Sequence, residues 1–193
     1  MTLYGRSPQR VEALGRSWRL RADFRRVLHA MDILADDSLY PGVRIEASLR
    51  LMVRGRLPRG EDRRAALLAA VRSALFDGAK GEKKRVLDYA QDAGLIRAAF
   101  RQAYQIDLTR AKMSWFLFRD LLSALPEDTL LSRVIGWRAA DIPRVTPRNR
   151  EQVARLIQLQ NAYALRDTTG RGREAGMNRL FDLMVSMAGG DGT

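Results

Sequence analysis

The sequence predicts a mainly α-helical protein, a bundle of about seven helices led by a short N-terminal β-hairpin. Two observations carry this. From Asp23 onward the apolar residues recur at three-and-four spacing, the period of an amphipathic helix. Only Arg10 to Arg21 shows a period of two, with Val11, Trp18 and Leu20 falling between polar and charged neighbours. A third observation bounds the answer: 193 residues with 46% hydrophobic and 29% charged residues suffice for a core without staples, and fit neither a disordered chain nor a membrane bundle.

In the hairpin, Val11, Trp18 and Leu20 are expected to face inward, with Leu14-Gly15-Arg16 joining the halves. An isolated hairpin is marginal, so it must lean on helices. The first helix is predicted from Asp23, its N-cap, to about Ala35, with the stripe Phe24, Val27, Leu28, Met31 and Leu34. A break over residues 36–42 precedes a second helix marked by Ile45, Leu49, Met52 and Val53, which stops at Gly55-Arg56-Leu57-Pro58. The third spans about Glu61 to Phe76, with Leu67, Leu68, Val71 and Leu75 on one face and two acids in its first turn, where the helix dipole favours them.

Residues 77–84 are polar, glycine-containing and without apolar periodicity, so they read as a linker. A long fourth helix is predicted from about Tyr89 through Ile96 and Phe100 to Gln105, and Asp107 should close the turn after it. Ser114 is the expected cap of a fifth helix carrying Trp115, Phe118, Leu122 and Leu125 and ending at Pro126. Thr129 to Arg138 forms a sixth, with Leu130, Val134 and Trp137 in register. Thr146-Pro147 should start a seventh that ends near Leu165. The domain reading is one helical domain over 1–166, with a sub-division near 77–85. A hinge and a C-terminal amphipathic helix bearing Met177, Leu180, Phe181, Met184 and Met187 follow over 167–193.

Chemistry is largely excluded. With no cysteine there are no disulfides, thiolate nucleophiles or Cys-based metal sites, and the lone His29 has no second histidine to act with. His29 therefore reads as a partly buried structural residue. Asp88 and Asp92, spaced i, i+4, would share a helix face. Two carboxylates are too few for an oxygen-rich metal site, and the better reading gives one to the helix N-terminus and the other to arginines. Gly78 to Lys84 lacks the spacing of a phosphate-binding loop. No catalytic, metal-binding or cofactor-binding residue emerges, and a non-enzymatic protein without a cofactor is expected. The N-terminus lacks an apolar signal run, and no stretch approaches the roughly 18 apolar residues of a membrane span, so a cytoplasmic protein without membrane contact is expected.

The formal net charge is +12, and 30 of the 34 basic residues are arginine. The surplus raises the question of an anionic partner. It is spread along the chain, with 15 basic and 8 acidic residues over 1–72 and 19 and 14 over 73–193, whereas a nucleic-acid reader concentrates it. Arg16, Arg19, Arg21, Arg25 and Arg26 form the best local cluster for nucleic acid, which is not the favoured partner. Candidates for a protein partner are the aromatic and apolar positions Trp115, Phe118, Leu122 and Trp137, for which core packing is the stronger reading. The methionine-bearing Met177, Phe181, Met184 and Met187 suit an adaptable hydrophobic contact. Self-association stays open.

Three blocks carry a resemblance. Val86 to Phe100 with Tyr104-Gln105-Ile106-Asp107-Leu108 follows D-F-x-x-D-x-x-x-I-x-x-A-F-x-x-x-Y-x-I-D-L. Met113 to Thr129 follows L-H-W-W-x-F-x-x-L-L-x-x-L-P-x-x-T, and Ile135-Gly136-Trp137-Arg138 follows I-x-x-R. Together they resemble the gene-product-fifteen family of long-tailed phages and prophages, over roughly residues 86–142, and Asp23-Phe24-Arg25 matches that family's T-D-F-R. Ser114 and Phe116 replace the family's histidine and second tryptophan, so any chemical role of that histidine is missing here, while the aromatic character survives. The resemblance implies a role in siphophage or prophage tail morphogenesis. Family genes usually lie between those of the tail-tube and tape-measure proteins, where tail assembly chaperones are encoded. The function expected is therefore a tail assembly chaperone-like protein that binds apolar helical segments of the tape-measure protein. A basic nucleic-acid-binding phage protein and a structural tail or head–tail component of the virion are the alternatives.

Overall fold

The computed structural model describes residues 7–76 and 84–166. The linker at 77–83 and the expected C-terminal hinge and helix lie outside the described residues. The observed order is β1 (Arg10–Ala13), β2 (Arg16–Arg19), α1 (Phe24–Ala35), α2 (Pro41–Met52), α3 (Glu61–Phe76), α4 (Ala93–Tyr104), α5 (Trp115–Ser123), α6 (Leu130–Ala139) and α7 (Arg150–Ala162). The predicted class is therefore the observed one: among the described residues there are seven helices and a two-stranded antiparallel hairpin.

The chain forms two compact units. Residues 1–82 and 105–124 make the first, and residues 83–104 and 125–193 the second. In the first unit, Ala13 pairs with Arg16, so the hairpin loop is only Leu14-Gly15, one residue shorter than expected. Both loop residues have positive φ, +56° and +74°, as a type I′ turn demands. Val11, Trp18 and Leu20 are buried as expected, and the Trp18 indole donates to the Ala13 carbonyl at 3.0 Å. The segment after β2 is zipped on both sides. Leu20 bridges Val53, Arg54 N–H donates to the Arg19 carbonyl, and beyond them Asp23 bridges Ser114 while Trp115 N–H donates to the Ala22 carbonyl. This is the support the marginal hairpin needs.

Helix α1 is capped as predicted, by Asp23 accepting from Arg25 N–H. It approaches α2 closely where Ala30 and Leu49 are fully buried and the Ser48 hydroxyl donates to the Ala30 carbonyl at 3.0 Å. Helix α2 begins at Pro41, earlier than its apolar stripe alone indicates, because proline at the first helical position loses no hydrogen bond. The Glu46 carboxylate takes Arg50 on its own helix and Arg64 of α3, joining the two helices at the surface. Helix α3 buries Leu67, Val71 and Leu75. Ser114 caps α5, whose Trp115, Phe116 and Phe118 are buried. Phe118 stacks on Phe24 at 5.0 Å, and the Trp115 indole donates to the Leu75 carbonyl, the last-turn acceptor of α3.

In the second unit, Ile96, Ala99 and Phe100 of α4, Leu131 and Val134 of α6 and Val153 and Ile157 of α7 are buried. Thr129 caps α6 by accepting from Ser132 N–H. Gln160 of α7 donates to the Trp137 and Ala140 carbonyls, which α6 leaves without helical partners. Two expected boundaries are corrected. Helix α4 starts at Ala93 rather than near Tyr89, because the Asp88 carboxylate binds the Ala90 and Gln91 N–H groups in a separate turn. Helix α7 starts at Arg150 rather than at Thr146-Pro147, because the Asn149 side chain accepts from Thr146 N–H and donates to the Arg144 carbonyl, holding 146–149 as a turn.

Candidate functional site

The hairpin alternates, so the face opposite the buried Val11–Trp18 pair carries Arg10 paired with Arg19 and Glu12 paired with Ser17. The next strand-like segment adds a third arginine. Because Leu20 is bridged to Val53 and both are buried, Arg19 and Arg54 lie side by side on the outer face. Arg10, Arg19 and Arg54 thus form a row across three adjacent segments, each neighbour about 4.8 Å from the next by ordinary sheet spacing. All three are exposed. Like charges directly opposite one another weaken a sheet. Among the described residues none of the three, nor Arg26, forms an ion pair.

Beside the row is a hollow of about 480 Å³ lined by Gln9, Arg19, Leu20, Arg21, Ala22, Asp23, Arg26 and Arg54. The Asp23 carboxylate in it caps α1, and Arg21 makes a long 3.4 Å contact to the Arg50 carbonyl. A second hollow, about 380 Å³, adjoins across the shared wall of Gln9, Leu20, Ala22 and Asp23, and is lined further by Pro8, Lys112, Met113 and Phe116.

Of the five arginines proposed for nucleic acid, the structure brings Arg19, Arg21 and Arg26 together and sends two elsewhere. Arg16 lies over the Trp18 ring at 3.8 Å. Arg25 donates to the Leu108, Thr109 and Ala111 carbonyls, so its charge is spent in holding the loop before α5. Arg54 and Arg10 belong to the row and were missed. Arg10 is legible once the hairpin register is known, whereas Arg54 carries no local signal because the Leu20–Val53 bridge places it.

The protein-partner candidates divide similarly. Trp115 and Phe118 are buried in the first unit, so neither ring is presented to a partner. Leu122 is half-buried, as is Trp137, which packs on Tyr163 at 5.5 Å. Met177, Phe181, Met184 and Met187 lie outside the described residues. His29, expected to be partly buried, is exposed, because it falls on the solvent side of α1 between the buried Val27 and Ala30.

The two aspartates separate as the sequence suggests. Asp88 closes the turn before α4 and pairs with Arg85. The Gln91 N–H holds its carboxyl below the usual range against partial burial, helped by the Arg85 charge and the Ala90 N–H. Asp92 is buried and receives Arg138 in a fork, Nη1 at 2.7 Å and Nη2 at 2.9 Å. Arg138 also donates to the Val86 and Tyr163 carbonyls, so one guanidinium ties together the start of α4, the end of α6 and the residue after α7. This pair unites the first and third of the resembling blocks, and its role is structural. Among the described residues no three acidic or histidine side chains converge as metal ligands, and no helix is long and apolar enough to cross a membrane.

Residues 5–165 match the family model described as Bacteriophage Gp15 protein. Neither a curated protein nor a solved structure matches the chain. The matched span contains the hairpin, the seven helices of the described residues and the Asp92–Arg138 pair, and stops before the Met177–Met187 stretch. The chain belongs to the bacteriophage Gp15 family.

Proposed function

We propose that this phage protein is a tail assembly chaperone-like factor that covers apolar helical segments of the tape-measure protein until the tail tube encloses them. It works by binding, without turnover. The observation that carries the reading is the family match over residues 5–165, together with the tail-morphogenesis role that the resemblance implies. A long helical protein with exposed apolar faces needs such cover to stay soluble.

Because Trp115 and Phe118 are spent in the core, the contact falls to outward-facing apolar residues and to the C-terminal stretch. Leu117 on α5 is 48% exposed, and Tyr40 and Val43 at the start of α2 are 66% and 52% exposed. Met177, Met184 and Met187 add unbranched, polarisable side chains that fit irregular apolar surfaces, and Phe181 adds an aromatic ring beside them in sequence. Co-expression should keep the cognate tape-measure protein soluble and the two should co-purify. Phe181→Glu with Met184→Glu should reduce that recovery. Separation of the two wild-type proteins on size exclusion, with no gain in solubility, overturns the reading. Recovery of the chain from purified particles at a fixed copy number would instead favour a structural virion component.

A further inference from the structure

We propose that the arginine row Arg10–Arg19–Arg54, with Arg21 and Arg26, is a docking site for an acidic segment of a partner protein. The inference goes beyond the chaperone reading, since it concerns carboxylates rather than apolar helix faces. Three like charges stand side by side on the outer face of three hydrogen-bonded segments, exposed and without an ion pair among the described residues. Such a row is self-repelling until an anion is seated on it. Guanidinium groups favour planar anions that accept two parallel hydrogen bonds, which carboxylate does.

Phosphate shares that chemistry, so the surroundings decide between a peptide and a nucleic acid. Among the described residues no aromatic ring lines the basic hollow, and the neighbouring Trp18 is 1% exposed and covered by Arg16, so this hollow offers no platform for stacking bases. The adjoining hollow turns partly apolar, with Pro8, Met113 and Phe116 beside the single Lys112. A nucleic-acid backbone needs cations along its length. A peptide carrying a few acidic residues next to apolar ones finds both of its requirements in the two adjoining hollows.

The test is fluorescence anisotropy of the full chain with a fluorescein-labelled octaglutamate peptide and, separately, a labelled DNA oligonucleotide of equal charge, at low and moderate salt. The peptide should bind and weaken with salt, and Arg19→Glu with Arg54→Glu should cost about tenfold or more in affinity. Arg63→Glu with Arg72→Glu, exposed positions on α3 that line neither hollow, changes net charge equally and should shift affinity by less than about twofold if the site is local. Arg19→Lys with Arg54→Lys preserves charge should the glutamate pair disturb the fold, and is expected to weaken binding by about threefold through loss of the guanidinium fork. Absence of peptide binding at low salt, equal losses in the row and control glutamate pairs, unchanged affinity in the lysine pair, or tighter Arg19- and Arg54-dependent binding of the oligonucleotide each overturns the proposal.

Discussion

Arg138 ties three segments of the second unit together. Its side chain and that of Asp92 are almost wholly buried, and truncating either leaves an uncompensated charge inside. Arg138→Ala should therefore destabilise the second unit by about 3–5 kcal/mol, read as a lower urea midpoint of its unfolding. The joint substitution Asp92→Leu with Arg138→Met, which removes both charges, should be more stable than either single truncation. Asp88 gives a pH signature. Its carboxyl titrates below the ordinary range when folded, so its ionised form stabilises the native state at neutral pH and that contribution disappears as pH falls through the folded value. Asp88→Asn should be less stable than the natural protein at pH 7, and the gap should close in melting curves taken below pH about 4. The i, i+4 spacing of Asp88 and Asp92 revealed a shared neighbourhood, but only distant partners assigned one to a turn and the other to a buried fork.

At the scale of elements, the hairpin and the helix caps follow from local physics. Alternation at Val11, Trp18 and Leu20 marked the strands, and Ser114 and Asp23 were legible as caps because each short polar side chain precedes an apolar helical run. The turn holds an avoidable cost, since Leu14 adopts φ +56°, a left-handed conformation its side chain disfavours. Leu14→Asn should raise stability by about 1 kcal/mol, measured as a higher melting temperature, because Asn tolerates that conformation in a type I′ turn. The two misread helix starts have different sources. At Tyr89 apolar periodicity continues past the turn that the Asp88 side chain captures, whereas at Thr146 the fitness of Pro147 for a first helical position marks a start that the Asn149 side chain holds as a turn.

Across the whole molecule, the charge of +12 is the dominant long-range term. It favours expansion through self-repulsion, so raising monovalent salt from about 20 to 200 mM should increase the melting temperature as the Debye length shrinks. A melting temperature that falls with salt would show instead that local ion pairs outweigh the surplus. The basic surplus by itself suggested an anionic partner without locating one; the fold spends Arg25 on loop carbonyls and Arg138 on Asp92, and gathers Arg10, Arg19 and Arg54 into one row. The sequence alone determined the helical class, the hairpin, the caps and the family, because each rests on residues a few positions apart or on short ordered motifs. Tertiary structure alone decided which aromatic rings are buried, which arginines remain unpaired and which aspartate meets which arginine. Those contacts join positions dozens of residues apart, such as Asp92 and Arg138 or Arg19 and Arg54, and such pairings arise only when packing brings distant segments together.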